Sequence, residues 1–170
     1  MTKAKTGQEA RIFAVETRFQ KLARRDGGVP RDKAIAQAHA EIEQVKPDFD
    51  QWFDIELREL AALVNNAQSG EGKPGWIETA GFRSRQLRDS AGTLGFELIE
   101  FIAGSLCEIL ESIEAGNECN MESILCHVDA LTLARQPYYR ALQPEQVPEL
   151  TKGLRRVVKH VTINPLGVEK

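Results

Sequence analysis

Apolar residues recur at steps of three and four through most of this chain, and the residues that stop helices fall between those stretches. Ile77, Ala80, Ser84, Leu87, Ala91 and Leu94 give the clearest run, which lines one side of a helix. Seven prolines and thirteen glycines are present, and they cluster as punctuation, at residues 26–30, 68–75 and 143–148 for example. No stretch alternates with the period of two that a strand requires. The chain is therefore expected to be all-α, with six or seven helices.

The same reading places each helix. Thr6 or Gln8 opens a first one, whose Ile12, Val15, Phe19 and Leu22 share a face, and Asp26-Gly-Gly-Val-Pro30 ends it. Asp32 opens a short helix with Ile35, Ala38, Ile42 and Val45 inside. Pro47 is expected to break it, and Asp48 to cap the next, which runs to about Ala67 with Trp52, Phe53, Leu57, Leu60 and Val64 as its stripe. Residues 68–75 form the clearest linker, and the helices on its two sides either belong to separate parts or share one bundle. Further on, Gln136-Pro-Tyr-Tyr139 terminates a sixth helix, with both tyrosines as packing residues. A last helix spans Glu149 to Thr162, and Asn164 to Gly167 read as a frayed tail.

A chain of 170 residues can bury a core without metal or disulfide staples. Cys107, Cys119 and Cys126 form no Cys-x-x-Cys pair, which argues against a zinc site or a disulfide framework and predicts three small buried or half-buried residues. Residues 1–8 are polar, with no apolar signal core after them. The most apolar stretch, Phe96 to Ala115, carries Glu97, Glu100, Glu108 and Glu111 and so lacks the roughly 18 uncharged residues of a membrane span. A cytoplasmic protein without membrane association is expected.

The net charge of −3 conceals basic ends and an acidic middle: residues 97–122 hold seven glutamates and no lysine or arginine. Without aromatic-interleaved basic patches, and with a pI near 5.7, nucleic-acid binding is not expected. No nucleotide loop or metal-ligand spacing is present, so neither cofactor nor metal is expected. Paired glutamates at 97 and 100 and at 108 and 111 lack the Glu-x-x-His partner of a carboxylate metal bundle.

Beside the apolar stripe of residues 77–94, Gly81, Arg85, Arg88 and Gly92 follow a four-three-four spacing and form a neighbouring line able to face solvent. Two arginines flanked by glycines make a positive spot with little side-chain cover, which a partner backbone can approach closely. Alternatively the arginines only solubilise the helix, with Asp89 neutralising part of their charge.

Arg85-Gln-Leu-Arg-Asp-Ser-Ala-Gly-Thr-Leu-Gly95 resembles the phosphoacceptor helix of the histidine-phosphotransfer (HPt) family, whose motif is His-x-x-Lys-Gly-Ser followed by a Leu-Gly turn. Leu94-Gly95 matches the turn and Cys107-Glu-Ile-Leu-Glu111 a later stretch; more loosely the likeness extends over residues 32–134, including bacterial members with N-terminal extensions. It implies an up-and-down four-helix bundle at 48–140, an N-terminal helical extension at 1–47, and a C-terminal helix and tail at 141–170 packing on the bundle. Arg85 stands at the phosphoacceptor position, Arg88 at that of the lysine and Asp89 at that of the glycine. A guanidinium, protonated throughout the neutral range, has no free lone pair to attack a phosphoryl group. The resemblance therefore implies a non-enzymatic signalling or adaptor module that docks a response-regulator receiver domain or a histidine kinase through Gly81, Arg85, Arg88, Asp89 and Gly92. Asp89 works against that docking by repelling an acidic pocket and competing for Arg85.

Two rivals stand beside it. One is a structural protein whose N-terminal helices form a homodimer. The other is phosphotransfer through a different histidine: His127, expected in the core or at its boundary, or His160, which follows Arg155, Arg156 and Lys159 in a basic setting.

Overall fold

A computed structural model describes Arg18 and residues 27–163 of the chain. Among the described residues every regular element is helical: α1 (Arg31–Gln68), α2 (Trp76–Leu94), α3 (Glu97–Glu114), α4 (Met121–Ala134), the short α5 (Pro137–Arg140), a 3-10 turn (Pro144–Gln146) and α6 (Pro148–Ile163). The expected first helix and the expected tail after Asn164 lie outside the described residues. Packing divides the chain into Met1–Ala40 and Glu41–Lys170. In the first unit the described residues are exposed throughout.

Pro47 does not break the helix. α1 runs through it without interruption, so the expected boundary between residues 47 and 48 falls inside one helix. Proline removes one intrahelical donor and costs about 3 kcal/mol in a helix interior. The aromatic anchors just after it offset that cost: Phe49 and Phe53 are buried, and Phe49 stacks on Phe96 with ring centroids 5.1 Å apart. Local propensity loses to tertiary burial here. The apolar positions before Pro47 fare differently, since Ile35 and Val45 are exposed and Ile42 is only half-buried.

The second unit is built around α3. Ile102, Leu106, Ile109 and Leu110 are fully buried, and α3 packs against α2, α4 and α6. α2 buries Ala80, Ser84, Leu87, Ala91 and Leu94, as the spacing predicts. Gly95 ends α2 at φ 77°, a left-handed position that glycine adopts without strain. There the Gly95 N–H donates to the Gly92 carbonyl and the Phe96 N–H to the Ala91 carbonyl, a Schellman stop that returns the chain as α3. The 68–75 linker is a turn inside one packed unit: Arg83 of α2 donates to Glu56 of α1 at 2.5 Å and also pairs with Glu59.

The C-terminal side of this unit closes on α1 by charge. Arg135 grips the carboxylate of Asp54 with two donors, and Arg140 donates to Asp50. Arg140 also lies over the Phe96 ring, 5.7 Å from its centroid, with Lys46 at the same distance. Tyr139 is half-buried, whereas Tyr138 is 77% exposed and packs only edge-on against Tyr139. Of the cysteines only Cys107 is buried; Cys119 and Cys126 are exposed, contrary to the expectation for all three. No described helix is long and apolar enough to cross a membrane.

Candidate functional site

Gly81, Arg85, Arg88 and Gly92 do form one line on α2, and the line flanks the groove against α3. Gly81 is buried, and a β-carbon there would meet Arg85 Nη1 and Glu114 Oε1, each at 3.3 Å. A β-carbon on Gly92 would sit 2.8 Å from the Glu100 carboxyl carbon. The glycines are thus roofed by α3 glutamates, and the bare cradle read from spacing is filled. The reason lies in register: α2 and α3 run antiparallel, so Gly81 meets Glu114 and Gly92 meets Glu100. The sequence shows seven glutamates there but not where each one points.

The arginines remain reachable. Arg85 keeps 37% of its side-chain surface and lies 3.8 Å from Glu111 Oε1, too far for a hydrogen bond. Arg88 is equally exposed and donates from Nε to Asp89 at 2.9 Å. Asp89 therefore occupies Arg88 rather than Arg85. Cys107 sits close by, but burial pushes its thiol up to about 11, only partly countered by the Arg88 charge, so it stays protonated and unreactive at neutral pH.

The outward face of α2 carries a residue that the spacing argument passed over. Phe82 is 57% exposed, one turn before Gln86 and three residues before Arg85, where helical neighbours meet. Its signal was visible as a large apolar residue off the core stripe. Farther along, Asp89, Ser90, Thr93 and Leu94 join Val45, Asp48, Phe49 and Trp52 of α1 around an open, mainly apolar cleft of about 560 Å³. Phe82, Arg85, Asp89 and this cleft give α2 an outer face that combines an aromatic, a cation, a carboxylate and a hydrophobic recess.

His127 and His160 occupy different settings. His127 is fully buried; its Nδ1 lies 2.7 Å from the Ser123 carbonyl, and its Nε2 has no partner. Burial lowers its pKa, so the ring is neutral and closed off from any partner. His160 is exposed, but its recess is lined by Glu118, Cys119, Asn120, Met121, Glu122 and Val161. Glu118 and Glu122 thus face it beside the basic residues of its own helix, and these two carboxylates disfavour a phosphoryl group there. Among the described residues no three His, Cys, Asp or Glu side chains gather as metal ligands. No family model, no curated protein and no solved structure matches the chain.

Proposed function

We propose that this chain is a non-catalytic, HPt-like helical module that docks a response-regulator receiver domain through the outer face of α2 without passing phosphate. The observation that carries the reading is the exposed Phe82 beside the half-exposed Arg85. An exposed aromatic and an arginine together are the residue types that dominate protein interfaces. The guanidinium fork suits the carboxylates of a receiver's phosphorylation pocket.

Packing supports the bundle reading. α1 contacts α2 through Arg83, α2 packs on α3, α3 on α4, and Arg135 returns α4 to α1. Three helices packed in chain order, with α1 joined to the first and last of them by ion pairs, fit an up-and-down bundle with α5 and α6 added. Arg85 has no lone pair to accept a phosphoryl group, His127 is shut in the core, and His160 lies among glutamates, so the module is read as a binder.

Titration of the full chain against a panel of receiver domains tests this. Micromolar or tighter binding to at least one receiver is expected, with Phe82→Ala and Arg85→Glu each weakening it by tenfold or more. No acid-labile phosphoprotein should form from phosphorylated receivers. Binding that ignores both substitutions, or the absence of binding across the panel, contradicts the reading. Self-association that persists in both variants while receivers fail to bind favours a structural homodimer.

A further inference from the structure

We infer, resting on the docking reading above, that Glu111 and Glu114 of α3 compete internally for Arg85 and set the negative charge a partner must present to engage α2. The guanidinium lies folded across Gly81, with Nη1 and Nη2 at 3.3 and 3.6 Å from the position a β-carbon would take there. Glu114 Oε1 borders the same spot at 3.3 Å, and Glu111 Oε1 is 3.8 Å from Nη1. Arg85 is thus parked in a notch that exists only because residue 81 has no side chain. Glu111 holds it at ion-pair distance, and Glu114 adds a second negative charge at the edge of the notch without pairing with it.

The hold is weak in a specific way. At 3.8 Å the Glu111 contact is an ion pair without a hydrogen bond, and none of the described hydrogen bonds uses an Arg85 donor. A guanidinium offers five donors in a planar fork, so a partner carboxylate or phosphoryl group able to take two of them offers what Glu111 and Glu114 do not. A partner with one isolated carboxylate exchanges like for like and gains little. A cluster of carboxylates or a dianion gains more. Because Glu111 is 54% exposed, the competition is small in size, and its removal changes affinity by a few-fold.

Three changes to the full-length protein test this against a receiver that binds it. Glu111→Gln combined with Glu114→Gln is expected to tighten binding about threefold, the order expected for a surface ion pair. Gly81→Ala is expected to tighten it similarly and to raise thermal stability, since the β-carbon evicts only flexible side-chain ends and alanine favours the helix. Glu118→Gln with Glu122→Gln removes the same charge away from the notch and should leave affinity unchanged.

In the free protein, the Arg85 Nε–Hε NMR resonance should shift when Glu111 and Glu114 are both neutralised and stay in place when Glu118 and Glu122 are. If the remote pair tightens binding equally, or the notch pair does not tighten it and leaves the Arg85 resonance in place, the competition is overturned while an Arg85→Glu defect still upholds docking. If Arg85→Glu binds as wild type does, the docking reading itself falls, and the competition with it.

Discussion

Two pairs of arginines in the second unit behave differently, and the difference separates folding from recognition. Arg135 and Arg140 reach across to Asp54 and Asp50 of α1, with two donors on one carboxylate and a stacked Phe96 beneath the other guanidinium. Arg85 and Arg88 keep the same order of exposure, yet Arg85 has only a distant glutamate and Arg88 only its own neighbour. The first pair ties sequence-distant helices together. The second pair fastens nothing that Gly95 and the buried stripe of α2 do not already hold, and it stays exposed.

The largest test of that contrast is to remove the clamp. Arg135→Ala with Arg140→Ala should lower stability by about 2 kcal/mol, from two partly exposed ion pairs and a lost cation over Phe96, and leave receiver affinity unaltered. Denaturant titration measures it, and a loss under 0.5 kcal/mol removes the clamp from the account.

Acid sharpens the same contrast. Burial holds the His127 imidazole below its ordinary 6.5, so the unfolded chain takes up a proton that the folded chain refuses as pH drops through that value. Stability is full above about pH 6.5 and declines below it. Asp54, held below the ordinary carboxylate value chiefly by its hydrogen bonds from Arg135, adds a second decline below about pH 4. Melting temperatures across pH 3 to 8 should show both steps. His127→Leu should flatten the upper step alone, and Asp54→Asn the lower. Arg85→Gln should be the smallest change of all, within about 0.5 kcal/mol of wild-type stability at every pH.

The helices were legible where periodicity and breakers agreed. The stripe of α2, the stop at Gly95 and the turn around 68–75 were all visible in the residues. Pro47 misled because one proline is a local cost, whereas the burial of Phe49 against Phe96 is set by chain nearly fifty residues away. The site was half legible: spacing put Gly81, Arg85, Arg88 and Gly92 on one line, but helical spacing fixes only the direction from one axis. Which glutamate of α3 covers which glycine depends on the antiparallel register, and that is decided by the turn and the packed core together. Phe82 stood in plain view off the stripe, but apolar periodicity marks only what faces inward.

The account stands most directly on one measurement, the affinity of the wild-type chain and of Arg85→Glu for the same receiver domain, taken alongside their unfolding free energies. The account predicts a loss of binding of tenfold or more with stability unchanged within about 0.5 kcal/mol. Equal affinity of the two proteins, or a stability loss large enough to explain the weaker binding, contradicts it.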